Sequence, residues 1–285
     1  MTAMLDANRY GKAGIRLFTI TRDGEADEVS DLTVDIWLEG AFDAAYTRGD
    51  NHDVLPTDTL RGTVYALAAE QPPGEPEHFA QRLTARFLAA SPAAHTAEVV
   101  IAADPWSRVT AAGAPHPHAF AASARRPRRT ARVRAGRDGA ERFGGITGLL
   151  LAKTRGSAFS GFLTDAYTTL APAQDRVLAT SLDAEWRYRG PDADVVTCAA
   201  TVPDVVAEAF ATHNASQSLQ HTLQVMGEAA LAACEDLADI RFWLPNRHHV
   251  LVDLAPYGLV NDGTVLVATD RPYGVIEGTV SRADP

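Results

Sequence analysis

The chain opens with two runs of alternating or clustered apolar residues, Gly14 to Ile20 and Leu32 to Leu38. Both predict strands. Arg22-Asp23-Gly24 between them has turn chemistry. The period then lengthens. From Asp58 to Gln71, Leu60, Val64, Leu67 and Ala68 share one helical face, and Pro72-Pro73-Gly74 ends the run. Thr57 just ahead of it is a good helix N-cap. Glu77 to Ala90 repeats the pattern with Phe79, Leu83 and Phe87, and Ser91-Pro92 closes it. Strands are expected next at Ala97 to Ala102 and at His118 to Ala122.

The second half reads in the same order. Ile146 to Lys153 and Val177 to Tyr188 predict strands. Pro203 suits the first turn of a helix reaching about Ala211. Ser216 or Ser218 can cap a second helix carrying Leu219, Leu223, Met226, Ala230 and Cys234. Strands return at Ile240 to Leu244, His249 to Leu254, Thr264 to Ala268 and Val275 to Val280. Each half is therefore two strands, two helices and two strands, with a C-terminal extension. The order repeats although the sequence does not. It predicts an α+β layer fold, antiparallel sheets with helices on one face, in tandem units spanning 1–130 and 131–285. Open sheets of this kind have edges that need partners.

Composition narrows the class. A hydrophobic content of 46% with 22% charged residues is ordinary for a globular chain. No run of about 18 uninterrupted apolar residues predicts a membrane span. Met1 to Lys12 lacks the apolar core of a signal peptide, and the ending Arg282-Ala283-Asp284-Pro285 is not a Ser-Lys-Leu peroxisomal address. Cys198 and Cys234 sit in apolar surroundings and read as reduced core thiols. The expectation is a soluble cytoplasmic protein. The net charge of −10 has one local exception, where Arg125, Arg126, Arg128, Arg129, Arg132, Arg134, Arg137 and Arg142 face only Asp138 and Glu141. Setting aside those 8 of 26 basic and 2 of 36 acidic residues leaves 18 against 34. Such an acidic body disfavours nucleic acid. The arginine run has no interleaved aromatics and reads as a solvated loop that neutralises acidic neighbours across an interface.

The chemistry-bearing residues are scattered. Tyr10-Gly11-Lys12 precedes the first strand, and Pro56-Thr57-Asp58 precedes the first long helix. Phe159, Asp175-Arg176 and Ser218-Leu219-Gln220 follow. Leu244-Pro245-Asn246-Arg247-His248-His249 and Asp270-Arg271-Pro272-Tyr273-Gly274 complete the set. Each has an ordinary reading: a surface lysine, a helix cap, a core phenylalanine, an Asp175–Arg176 ion pair, an exposed helical glutamine. Asn246 and His248, two apart, point to one side if they share a strand. His116-Pro117-His118 alone is weak grounds for a metal and reads as structural.

Taken in this order, from Tyr10 to Val280, these motifs resemble the urate oxidase (uricase) family of the tunnelling-fold (T-fold) superfamily. The resemblance implies tandem T-fold units that assemble as a homotetramer, with sheets closed into a β-barrel tunnel and active sites between subunits. It implies oxidation of urate by dioxygen and water to 5-hydroxyisourate and hydrogen peroxide, with no metal and no organic cofactor. Lys12 is then the base, Thr57 the hydroxyl relay and His248 the third member of the proton network. Arg176 and Gln220 grip the urate ring, Phe159 stacks on it, Leu219 touches it, Asp58 lies near it, and Asn246 holds oxygen or peroxide above it. Phe159, Arg176, Leu219, Gln220 and Asn246 would come from one chain, and Lys12, Thr57, Asp58 and His248 from its neighbour. Two other classes stay open: a catalytically silent purine-binding T-fold protein, and a pterin-type T-fold enzyme. The second usually needs Cys or His sites and a Glu anchor, which are not evident here.

Overall fold

The computed structural model describes residues 4–22, 24–123, 126–137, 139–269 and 271–283. Of the residues used above, Met1, Asp23, Arg125, Asp138, Asp270, Asp284 and Pro285 lie outside the described residues. Two compact units divide the chain. One runs to Gly145 and includes Arg187–Val196; the other comprises Ile146–Trp186 and the chain from Thr197 onward.

In the first unit, β1 (Tyr10–Thr21) and β2 (Glu28–Gly40) form an antiparallel hairpin. A short helix α1 (Asp43–Arg48) leads to α2 (Thr57–Glu70) and α3 (Pro76–Ala90). β3 (Ala94–Asp104) returns beside β2, and β4 (Trp106–Ala111) pairs with β5 (Ala114–Ala122) in a separate hairpin. β6 (Arg128–Gly136) then pairs with β3, and β7 (Gly139–Lys153) begins next to it. The order is β1-β2-β3-β6. Val34, Ile36, Leu38, Val99, Ile101 and Val133 form one core with Leu60 and Val64 of α2 and Phe79, Leu83 and Phe87 of α3. Each such side chain, fully buried, contributes about 1.5–3 kcal/mol.

The expected strand near His118 exists, but it pairs with β4 and is not the fourth strand of the sheet. That place belongs to β6, so the arginine-rich stretch is not a solvated loop. Its alternation explains why. Ala131 and Val133 are buried toward the helices, while Arg132 and Arg134 lie on the other face. There Arg134 holds Glu39 through two bonds of 3.0 and 2.8 Å. Arg128 meets Asp104 at 2.6 Å, and Arg132 stacks over Phe143 at 3.6 Å. Arg129 turns the other way, to Glu75 and Glu77 at the start of α3. The neutralisation expected across an interface is instead made by these arginines within the chain.

The second unit repeats the plan with the rest of β7, β8 (Leu178–Tyr188), α4 (Val195–Thr212), α5 (Leu219–Ala233) and β9 (Leu237–Pro245). An excursion forms the hairpin β10 (His248–Leu251) and β11 (Leu266–Thr269) before β12 (Val275–Ser281) pairs with β9. The order β7-β8-β9-β12 is that of the first unit. A Cβ on Gly227 of α5 would stand 2.4 Å from Val280 of β12, so glycine sets how closely that helix seats. Cys198 and Cys234 are buried and not joined as a disulfide, as expected.

Pro203 does not open α4. The helix starts at Val195, with Pro203 inside it. Val195, Cys198, Val202, Val206 and Phe210 are all buried at helical spacing on both sides of the proline. Their burial outweighs the lost backbone hydrogen bond. α4 is long and apolar enough to cross a membrane, but its buried stripe, with Asp204 and Glu208 in the same helix, fits a core helix.

Candidate functional site

Lys12 is placed by an irregularity in β1. The β1–β2 register pairs Lys12 with Ile36 but Ile15 with Val34, so one residue is added between them. This is a β-bulge. Gly14 takes φ +70, and its N–H donates to Asp35 Oδ1 at 2.6 Å. Without the bulge, Lys12 and Ile15 would point to opposite faces. With it, Lys12 joins Ile36, Val34 and Ile15 on the face covered by helices. There it is half-buried, with no hydrogen bond or ion pair to any described residue. β7 carries a matching feature: Gly148 N–H donates to Asp183 Oδ1 at 2.7 Å.

Tyr10, on the same face, accepts a 3.0 Å hydrogen bond from Leu55 N–H through its hydroxyl. This ties β1 to the segment entering α2. Thr57 is the first residue of α2, not its N-cap; Pro56 occupies the cap and its carbonyl accepts Leu60 N–H. The pre-set φ of proline ends the loop there. Relieved of capping, the half-buried Thr57 hydroxyl makes no hydrogen bond to a described residue. Asp58 is exposed and pairs with Arg61 at 2.6 Å.

In the second unit, short bridges join three loop segments. Ser157 bridges Ser216, and Phe159 bridges Ala173 through bonds of 2.8 and 2.9 Å. Arg176 N–H donates to Ser157 O, and Ala158 N–H donates to Ser216 O, both at 2.8 Å. Phe159 and Arg176 are thereby brought beside the segment entering α5. Asp175 does not pair with Arg176; it accepts Gly156 and Ser157 N–H at 2.7 and 3.2 Å. The Arg176 guanidinium lies 5.1 Å from the Phe159 ring centre, and its Nε is buried without a hydrogen-bond partner. Burial lowers the Arg176 pKa, yet a guanidinium stays protonated, so this is a partly desolvated cation without a counterion among the described residues. Phe159 also stacks on Phe162 at 5.0 Å.

Ser218 caps α5 by accepting His221 N–H at 3.1 Å, one of the two caps expected. Leu219 is buried, and Gln220 leaves its amide exposed without a described partner. Asn246 bridges Thr180 of β8, and its N–H donates to Gly274 O at 2.8 Å. Asn246 and His248 do not share a strand: β9 ends at Pro245, and His248 opens β10 opposite Thr269. The backbone changes partners between them, so the two-residue spacing does not by itself align their side chains. His116 and His118 lie on β5 with ring centres 6.2 Å apart. Among the described residues no three or more His, Cys, Asp or Glu side chains cluster as a metal site.

The family model described as Uricase matches residues 8–133 and 143–277. The chain belongs to the uricase family. It is 39% identical over 280 residues to the uricase of Arthrobacter globiformis, covering 98% of this chain and 90% of that protein. It is 32% identical to the uricase of Aspergillus flavus, over 97% and 96%. The crystal structure of Arthrobacter globiformis uricase superposes with TM-score 0.93 at 38% identity, covering 100% of this chain and 98% of that one. Urate oxidase from Bacillus sp. TB-90, at 22% identity and TM-score 0.83 over 96% of this chain, shares the fold. The uricase-family fold is thus the α+β arrangement expected from the element order, with the tandem T-fold units that the resemblance implied. The unmatched stretch between the two parts of the family match covers the turn from β6 into β7, away from every site motif.

Several residues that position these candidate side chains had no assigned role in the sequence. Tyr10 was visible in its motif, but not its bond to the loop before Thr57. Asp35 and Gly14 show only as an acid in a strand and an isolated glycine, and a glycine inside a strand pattern is itself a bulge signal. Ser157 had no signal, because it acts through its backbone, and Ser216 showed only as a candidate cap, not as a backbone acceptor for Ala158.

Proposed function

We propose that this chain is a urate oxidase working with its own side chains and no cofactor. Urate, dioxygen and water become 5-hydroxyisourate and hydrogen peroxide: two electrons leave urate, dioxygen takes them, and water supplies the hydroxyl at C5. The observation that carries the reading is Arg176, a partly desolvated guanidinium facing Phe159 with no anion among the described residues, in a chain of the uricase family. A planar anionic purine supplies both the stacking partner and the missing charge.

In this reading Arg176 and Gln220 hold the urate ring, the amide donating to a carbonyl and accepting from an N–H. Phe159 stacks on the ring and Leu219 bounds it. Lys12, through the Thr57 hydroxyl, removes the second proton from the urate monoanion, and His248 completes the relay. The dianion is electron-rich enough to give one electron to triplet oxygen. The radical pair joins as a C5 hydroperoxide, peroxide leaves, and water adds at C5. Asn246 holds oxygen, then peroxide, above the ring, and Asp58 lies at the edge of the ligand. We assign Phe159, Arg176, Leu219, Gln220 and Asn246 to one protomer and Lys12, Thr57, Asp58 and His248 to its neighbour. Assembly as a homotetramer with barrel-closed sheets is supported by the outer strands β1 and β12, which end the strand order. We assign the enzyme to the cytoplasm.

The test mixes chelator-treated protein with urate in air and follows urate absorbance and peroxide together. Equal loss of urate and gain of peroxide is expected. Urate binding without turnover would instead identify a silent purine-binding relative.

A further inference from the structure

The loop entering α5 holds a buried hydroxyl cluster that the chemistry above does not use. Ser216 Oγ and Thr222 Oγ1 are 2.8 Å apart, and both residues are essentially inaccessible to solvent, at 1% and 0%. Ser216 Oγ also donates to Ser218 O at 3.0 Å, which lies 3.3 Å from Thr222 Oγ1. His213 Nδ1 approaches Thr222 Oγ1 at 3.3 Å, and Lys153 Nζ donates to the His213 carbonyl at 2.5 Å. Threonine is a poor interior helix residue compared with alanine. A fully buried one inside α5 is explained by its hydroxyl rather than by its propensity.

What the cluster joins matters more than its own stability. The side chain of Ser216 holds the first turn of α5, which presents Leu219 and Gln220. The backbone of the same residue holds the other segment, since Ser216 O accepts Ala158 N–H. Next to it, Ser157 O accepts Arg176 N–H. We infer that the Ser216–Thr222 hydroxyl pair is a positioning element that fixes Gln220 and Leu219 relative to Arg176 and Phe159. It touches no substrate and acts through both jaws. The inference rests on the assignment of Arg176 and Gln220 as the groups that grip urate.

Thr222→Val keeps the shape of the side chain and removes the hydroxyl; Thr222→Ser keeps the hydroxyl. In the assembled enzyme, we expect Thr222→Val to raise the urate KM about five- to tenfold, as losing one buried hydrogen bond implies, with kcat held within about twofold. Xanthine, which has the same pyrimidine dione ring, should lose affinity by the same factor. Thr222→Ser should restore both. If Thr222→Val does not fold, Ser216→Ala removes the other half of the pair and is read the same way. An unchanged KM, or a fall in kcat with KM unmoved, overturns the positioning role. Gln220→Ala separates the two levels: if it leaves KM unchanged, the reading of the jaws has failed. If it raises KM while Thr222→Val does not, only the positioning role has failed.

Discussion

A single added residue in β1 decides where Lys12 points. The bulge is held by Gly14 in the left-handed region and by its N–H bond to Asp35. It turns Lys12 toward the helix-covered face, half-buried and without an ion pair to a described residue. An amine so placed has no structural partner to lose, which makes it a clean target. Lys12→Met keeps the length and apolar stem of the side chain and removes the amine. We expect urate to bind as before, while kcat falls by about 10²- to 10⁴-fold, the usual contribution of a positioned general base. Binding measured by equilibrium titration and turnover measured by peroxide release check the two halves separately. Unchanged turnover would refute Lys12 as the base.

At the level of elements, α3 is tied to β6 through a charge pair with a pH signature. Glu77 is fully buried, 2.6 Å from Arg129 and 3.1 Å from the Tyr188 hydroxyl. Burial raises its pKa above the ordinary 4.5, outweighing the opposing pull of Arg129. A carboxyl with a raised folded-state pKa favours folding most when protonated, below its unfolded value. That contribution is lost as pH rises through the folded value. Glu77→Gln has no such dependence. The stability of the natural chain relative to Glu77→Gln should therefore fall as pH rises above 4.5, and level off only above the folded value. Denaturant midpoints of the two proteins across that range check it; a difference that stays flat, or grows with pH, would contradict the burial argument. The same pair shows what the sequence could and could not reveal. Long helices with Leu60, Val64, Phe79, Leu83 and Phe87 at helical spacing were legible, because burial on one face writes its period into the chain. β6 was not. Its inward positions are only Ala131 and Val133, and the arginines that mask them are balanced by Glu39, Glu75, Glu77 and Asp104, far away in sequence. The break between Asn246 and His248 was hidden for a similar reason, since the hydrogen-bond partner changes there and the residue types do not. The side chains proposed to grip the ligand were named from their motifs, whereas the backbone bridges at Ser157 and Ser216 that join their segments leave no mark in residue type.

The whole molecule poses a question of assembly. The second unit gathers Phe159, Arg176, Leu219 and Gln220, and the first holds Lys12 and Thr57. Exposed apolar side chains crowd the loops of the second unit: Leu163, Tyr167, Tyr257 and Val260 are 96%, 90%, 74% and 91% accessible. An assembly that covered these loops would remove that apolar surface from water. If the site pairs one protomer's Arg176 with its neighbour's Lys12, two dead variants can repair each other. Lys12→Met and Arg176→Gln should each be inactive as homo-oligomers. After dissociation together and reassembly, about a quarter of the sites should be intact by random pairing, because each such site draws Arg176 from one variant and Lys12 from the other. Peroxide release from the mixture, set against each variant reassembled alone, measures that recovery. Were each site built within a single chain, every site in the mixture would carry one lesion and no activity would return. A dilution series adds a second constraint, since specific activity should fall as the assembly dissociates. Activity that stays constant in a demonstrated monomer would exclude a site shared between protomers, whatever the mixing experiment gave.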